Sequence, residues 1–164
     1  MRAVALVVSR ALPLFVARSA NPRQRQSRRP VRKCQPGVAF DWERATIKVV
    51  LSGILGVPIE VDGENGLLPT TSIQPVGLIV NELVINAAKH GAGKVNVTYR
   101  CNGVRKITVC DEGSGLPPGF DPATNANGLG MKIANVLAKQ LGGFFEAGSN
   151  PAGKGACFTV TFPG

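Results

Sequence analysis

The chain has 164 residues, of which 44% are hydrophobic, and it carries a formal net charge of +9. That length suits one globular domain and leaves little room for two. Residues 1–40 hold nine basic and no acidic residues, whereas residues 41–164 hold ten of each sign. Because the whole excess lies in the first quarter, the basic charge does not predict nucleic-acid binding by the folded part.

The first 39 residues are predicted to be a basic extension without a fold of its own. Residues 1–20 are apolar but interrupted by two arginines, which disfavours both a secretory signal and a membrane-spanning helix. Their arginine-rich, acid-free composition also resembles an organellar transit peptide, and this alternative stays open. Residues 21–37 are polar, basic and rich in proline, which is typical of disordered segments. We therefore place the domain at residues 40–164.

Helical periodicity is present in three segments of this domain, which predicts helices over residues 43–55, 75–90 and 129–141. The second helix is predicted to have Pro75 in its first turn, and Gly91 lies just past its end. The third is stopped by a Gly-Gly pair.

Short runs of β-branched and aromatic residues predict strands over residues 57–61, 94–99, 106–110, 144–147 and 156–162. A loop is expected over residues 62–66, and Asn102-Gly103 is a strong hairpin signal. The order of elements is helix, strand, helix, hairpin, loop, helix and hairpin. It predicts an α/β (α+β) two-layer sandwich with a mixed, mainly antiparallel sheet and helices on one face, rather than alternating Rossmann units.

The four cysteines lack the close paired spacing of a zinc site. Three of them, Cys101, Cys110 and Cys157, lie in apolar, strand-like segments, where reduced core cysteines are expected. The sequence therefore predicts a reducing, cytoplasmic compartment.

The predicted helix over residues 75–90 carries a polar stripe. Glu82, Asn86 and His90 recur every four residues and so share one face, with Lys89 adjacent to it. Such a stripe needs partners, because a buried amide or carboxylate without them costs about 1–3 kcal/mol. Amide and carboxylate oxygens suit Mg²⁺, and a lysine suits a phosphate. The alternative is a solvent-exposed helix face.

Asp111 directly follows the predicted strand over residues 106–110, and Gly113, Gly115 and Leu116 come shortly after it. An aspartate in this position can accept a hydrogen bond from the exocyclic amine of adenine, which is worth roughly 1.5–3 kcal/mol. The glycines permit close approach of the backbone to a flat ring. The alternative is an ordinary turn.

Gly128, Leu129 and Gly130 lie at the start of the predicted helix over residues 129–141. Glycines at a helix N-terminus leave amide groups free to bind phosphate, aided by the helix dipole. The alternative is a capped helix that follows a flexible loop.

Together, the three motifs resemble the GHKL ATPase superfamily with its Bergerat fold. They match that family's N box, first glycine box and second glycine box, at residues 82–90, 111–115 and 128–130. Residues 77–90 and 116–121 (Leu-Pro-Pro-Gly-Phe-Asp) look like sensor histidine kinases with a short dimerisation box, a subfamily related to HWE kinases. The resemblance covers roughly residues 40–163.

The resemblance implies ATP and Mg²⁺ as cofactors. Asn86 corresponds to the Mg²⁺ ligand and Asp111 to the adenine-reading aspartate, while Glu82 corresponds to the carboxylate that activates water in hydrolysing relatives. Glu82, Asn86 and Lys89 are thus the implied catalytic residues. The other implied nucleotide-binding residues, besides Asn86, Lys89 and Asp111, are His90, Gly113, Gly115, Leu116, Gly128, Leu129 and Gly130.

Two further features follow from the resemblance. Residues 114–127 correspond to the ATP lid, which is short in this chain. Ala156 follows Gly155 where relatives often have a threonine. This departure weakens the expectation of a secondary, water-mediated adenine contact but leaves the expected pocket unchanged.

The resemblance implies a histidine kinase catalytic domain that transfers the γ-phosphoryl group of ATP. The chain's one histidine, His90, belongs to the N box. The acceptor histidine is therefore expected on a separate dimerisation domain, in trans, with a response regulator beyond it, and the chain is expected to be a truncated or split kinase.

Three alternatives stay open. An anti-sigma serine kinase is disfavoured by the Lys-His ending of the N box and by the lid sequence. A hydrolysing ATPase of the gyrase, MutL or chaperone kind would need a transducer domain. A non-catalytic, nucleotide-binding regulatory remnant is the third alternative, because pocket residues predict binding rather than turnover.

Overall fold

The computed structural model describes residues 38–40, 55–64, 66–122 and 128–164. The described elements in chain order are β1 (Val38–Phe40), β2 (Ile59–Gly63), β3 (Gly66–Leu68), α1 (Thr70–His90), β4 (Val95–Cys101), β5 (Val104–Cys110), α2 (Leu129–Gln140), β6 (Phe144–Ser149) and β7 (Ala156–Pro163). Neither helix in these ranges combines the length and hydropathy that crossing a bilayer requires.

Five of the strands form one mixed sheet in the order β2-β4-β5-β7-β6. β2 pairs with β4 in parallel, and the other three pairings are antiparallel. β1 and β3 form a separate antiparallel ladder. Both helices pack against the sheet and against each other, so they form a single second layer. The predicted fold class, a two-layer sandwich with a mainly antiparallel sheet, is confirmed.

The core lies between the helices and one face of the sheet. The strands alternate buried and more exposed residues, as a sheet with only one covered face requires. The largest fully buried side chains are Tyr99, Leu68, Ile79, Leu83, Ile107, Val76, Val80, Val84, Val95 and Val97. On the other face Thr108 and Thr159 of neighbouring strands hydrogen-bond through their hydroxyl groups at 3.2 Å.

Two elements, α1 and β2, have different bounds from those predicted. α1 begins at Thr70, so Pro75 lies inside the helix rather than in its first turn. β2 covers residues 59–63 instead of 57–61, because pairing with β4 gives backbone partners to two residues that the sequence placed in a loop. The other predicted strands and α2 agree with the structure to within two residues at each end. β1 and β3 were not predicted, and β3 begins at Gly66, the last residue of the predicted loop. The predicted helix over 43–55 lies outside the described residues, apart from the helical Leu55.

The expectation of reduced cysteines is wrong. Cys110 and Cys157 form a disulfide and lie directly opposite each other in the β5–β7 register. Cys101 is disulfide-bonded as well. Each segment was identified as a strand, but the pairing of β5 with β7 is what brings two of the sulfurs together. The cysteines therefore give no argument for a reducing compartment.

Candidate nucleotide-binding site

A cavity of about 330 Å³ is formed by residues from α1, the ends of β5 and β7, and the start of α2. Its lining consists of Asn86, His90, Gly91, Asp111, Gly115, Leu116, Pro117, Phe120, Gly128, Met131, Ala156 and Phe158. Cavities of this size are typical of small-molecule sites. All three sequence motifs therefore contribute to one cavity, although not every predicted residue lines it.

Asp111 is the buried acid of this cavity, with 5% of its surface exposed. Its Oδ1 accepts hydrogen bonds from the backbone N–H of Gly113 at 2.8 Å and of Ala156 at 3.3 Å. Its own N–H donates to the carbonyl of Ala156 at 2.9 Å. These bonds fix the carboxylate, and Oδ2 accepts no hydrogen bond from the described residues, so it can accept one from a donor in the cavity.

The turn after Asp111 packs closely against the loop that follows α1. The N–H of Glu112 donates to the carbonyl of Ala92 at 3.0 Å. A Cβ added to Gly91 would lie 2.6 Å from Cγ of Asp111, and one added to Gly113 would lie 2.8 Å from Cα of Gly91. Gly113 was predicted to serve contact with a flat ring. Gly113 does not line the cavity, and the geometry shows a different need for glycine, which is the close contact between two backbones.

Gly91→Ala is expected to weaken ADP binding about tenfold, because the added Cβ would displace Asp111, whose expected hydrogen bond to adenine is worth roughly 1.5–3 kcal/mol. The φ of Gly91 is −85°, so its dihedral angle permits alanine, although the added Cβ would also lie 2.6 Å from the backbone carbonyl oxygen of Ala87. Titration calorimetry with ADP and Mg²⁺ measures the change. Gly148→Ala is the matched control, because nothing lies within 4 Å of its added Cβ. Equal affinities of Gly91→Ala and the wild type would contradict this account of the contact.

The polar stripe of α1 divides between two surroundings. Asn86 and His90 line the cavity, and the buried Nδ2 of Asn86 has no hydrogen-bond partner among the described residues. Glu82 lies against the start of α2 instead, where a Cβ added to Gly130 would overlap its Oε2. Lys89 is exposed and does not line the cavity.

The second glycine box meets the cavity at one residue. Gly128 lines it at the N-terminus of α2, where the described residues provide no side-chain cap, and N–H groups in a first helical turn are suited to binding an anion. Leu129 is 75% exposed, and Gly130 contacts Glu82. Neither of them lines the cavity. Residues 123–127, the last five residues of the predicted lid, lie outside the described residues.

An apolar wall completes the cavity, and the site prediction from sequence missed most of it. Phe120, Met131 and Phe158 line this wall beside the predicted Leu116. The rings of Phe120 and Phe158 meet edge to face with centroids 6.4 Å apart. Phe120 was visible in the lid motif, but Met131 and Phe158 carried no signal beyond apolar positions in a helix and a strand. Such a wall suits the face of an aromatic ring.

Comparison with known proteins agrees with this geometry. The family described as "Histidine kinase-, DNA gyrase B-, and HSP90-like ATPase" matches residues 71–164. The signal transduction histidine-protein kinase AfsQ2 of Streptomyces coelicolor is 32% identical over 120 residues. That alignment covers 64% of this chain but only 22% of AfsQ2. The chain therefore spans less than a quarter of this relative.

Two solved structures share the fold. The histidine kinase domain of the blue-light activated histidine kinase from Erythrobacter litoralis EL346 matches with a TM-score of 0.59 and 26% identity, over 71% of this chain and 57% of that one. The ATP-binding domain of PrrB from Mycobacterium tuberculosis matches with a TM-score of 0.63 and 24% identity, over 79% of this chain and 98% of that one. The narrower relation to HWE kinases stays a prediction. Because the family match extends over more than half of the chain and contains all three motifs, the chain belongs to the histidine kinase-, DNA gyrase B- and HSP90-like ATPases, the GHKL superfamily.

Proposed function

We propose that this chain is the ATP-binding catalytic domain of a histidine kinase in two-component signal transduction. The observation that carries the proposal is the buried Asp111, whose Oδ2 is available in a cavity built by the three motifs of an ATPase family. The relatives from S. coelicolor and E. litoralis are both named as histidine kinases. Because the chain spans only part of these relatives, kinase activity of this chain is part of what we propose.

The proposed substrate is ATP. Asp111 would accept the exocyclic amine of adenine, and the wall around Phe158 would pack against the purine ring. The N–H groups of the first turn of α2, beginning near Gly128, would then donate to phosphate oxygens. The unpartnered Nδ2 of Asn86 supports this assignment, since a buried amide without an acceptor is costly unless a ligand supplies one.

The proposed metal is Mg²⁺, held by the side-chain carbonyl oxygen of Asn86 together with phosphate and water oxygens, which is a common arrangement for this cation. When bound, Mg²⁺ would neutralise charge on the triphosphate. Lys89 is exposed one residue from the cavity-lining His90 and is proposed to meet the phosphates as a point charge. Glu82 is proposed to act on the site through Gly130, because its carboxylate contacts the start of α2.

The proposed acceptor is a histidine on a dimerisation domain in trans, from which a response regulator would receive the phosphoryl group. His90 is the only histidine in the sequence, and it forms part of the cavity wall. We place the reaction in the cytoplasm, where ATP is available. The predicted domain boundary at residue 40 falls inside β1, whose Val38 and Ala39 pair with β3, so we propose that the catalytic domain begins at Val38.

The test mixes the purified chain with γ-labelled ATP, Mg²⁺ and a separately expressed dimerisation domain from a related histidine kinase. Acid-labile label on that domain, absent with the Asp111→Asn variant, is the expected result. Acid-stable label on a serine would favour an anti-sigma type of kinase. Mg²⁺-dependent nucleotide binding without any transfer would favour a non-catalytic regulatory domain.

A further inference from the structure

Asn150 is a buried polar residue at the start of the turn between β6 and β7, with 7% of its surface exposed. Its Nδ2 donates to the backbone carbonyl of Asp111 at 2.8 Å, across 39 residues of sequence. Its Oδ1 accepts from the N–H of Ala152 at 2.9 Å. Its own N–H donates to the carbonyl of Gly155 at 3.0 Å. One side chain thus closes the turn and ties it to the acid of the cavity.

The turn and Asp111 are also in direct backbone contact. Gly155 has a φ of +117°, and a Cβ added there would overlap the carbonyl oxygen of Asp111. The next residue, Ala156, donates its N–H to Oδ1 of the same aspartate. The turn therefore meets Asp111 at its main-chain oxygen and at its side-chain oxygen. The side-chain Nδ2 of Asn150 is the donor that binds the main-chain oxygen of Asp111.

We infer that Asn150 is a positioning residue for adenine recognition, which directs Oδ2 of Asp111 toward the exocyclic amine by fixing the main chain of Asp111. The inference rests on the proposed nucleotide site. Asparagine suits the position because it offers a donor to the Asp111 carbonyl and an acceptor to Ala152 at the same time. An aspartate of the same shape would keep the acceptor, lose the donor and bring a carboxylate up to a carbonyl oxygen.

The test measures the dissociation constants of ADP and of purine riboside 5′-diphosphate, which has hydrogen in place of the exocyclic amine, for the full chain and its Asn150→Asp variant. The wild type should prefer ADP about tenfold or more, since the amine contact is worth roughly 1.5–3 kcal/mol. The variant should lose about tenfold in ADP affinity but change less than about twofold for the analogue, so that the preference disappears. A residue with a merely structural role would weaken both ligands equally.

Two variants complete the test. Ser149→Ala, at an exposed neighbouring position, should leave both dissociation constants unchanged. In an Asp111→Ala background, Asn150→Asp should have no further effect on ADP, because the group that it positions is absent. Should Asn150→Asp fail to fold, Asn150→Ala is measured in the same way, since it removes the donor without adding a charge.

The outcomes separate the inference from the proposed function. A wild type that binds neither ligand would overturn both. A wild type that prefers ADP, together with an Asn150→Asp variant that keeps this preference, would overturn only the role of Asn150. Equal losses for the two ligands in Asn150→Asp would also overturn it.

Discussion

Asp111→Asn should reduce the affinity of the chain for ADP roughly 10- to 150-fold, the equivalent of one charge-assisted hydrogen bond. Oδ1 of Asp111 is already committed to the N–H groups of Gly113 and Ala156. Asparagine would keep its oxygen in that position and turn its NH₂ group toward the cavity. That group would face the exocyclic amine of adenine, so two donors would meet and no hydrogen bond would form. Titration calorimetry with ADP and Mg²⁺ measures the loss.

Glu146→Gln is the matched control, because it removes the same charge from an exposed position on β6 and should leave ADP affinity unchanged. Thermal unfolding of both variants checks that the fold persists. Unchanged ADP affinity in Asp111→Asn would contradict the assignment of Asp111 as the adenine acceptor. An equal loss of affinity for ADP and for purine riboside 5′-diphosphate would also contradict this assignment, because the second ligand has no exocyclic amine for Asp111 to bind.

The helical stripe shows how far local periodicity carries a site prediction. The four-residue spacing of Glu82, Asn86 and His90 predicted that they lie on one side of α1. Which residues share a side of a helix depends only on helix geometry. What each residue faces depends on the elements that pack against the helix. The start of α2 at Gly130 lies beside Glu82, whereas the cavity lies beside Asn86 and His90. The sequence therefore predicted the shared face but not its division.

Local sequence patterns could not predict contacts between residues that are far apart in the sequence. Cys110 and Cys157 were each assigned to a strand, yet only the β5–β7 register places them opposite each other. Asn150 looks like an ordinary turn residue in the sequence, and its bond to Asp111 spans 39 positions. Phe158 occupies a β7 position whose burial was predictable, but the cavity beside it was not. In each case the missing information is the neighbour across the sheet.

The start of α1 shows a local rule overridden by the helix as a whole. Proline lacks the N–H group of an interior helical residue, so Pro75 was placed in the first turn, where that loss costs little. The helix nevertheless begins at Thr70, and Pro75 is buried within it. The α1 face that includes Val76, Ile79 and Val80 is buried. The free energy gained by this burial offsets the hydrogen bond lost at Pro75, and rules for single residues do not include it.

Gly155→Ala should lower the free energy of unfolding by roughly 2–6 kcal/mol, the combined cost of a strained backbone and an overpacked contact. The φ of Gly155 is +117°, and the added Cβ would overlap the carbonyl oxygen of Asp111. The added Cβ is attached directly to the backbone of the turn, and the carbonyl oxygen belongs to the backbone of Asp111. The clash can therefore be relieved only by moving the turn or the end of β5. Urea denaturation measures the change.

Two other glycines separate the two costs. Gly153→Ala has a positive φ of +153° but nothing within 4 Å of the added Cβ, so it carries strain alone, about 1–3 kcal/mol. Gly148→Ala has neither a positive φ nor a contact and should be close to neutral. If Gly155→Ala were no less stable than Gly153→Ala, the close approach of the turn to Asp111 would be wrong. If Gly155→Ala were the less stable of the two, its folded fraction should also bind ADP more weakly, because relief of the clash displaces Asp111, the proposed acceptor of the adenine amine.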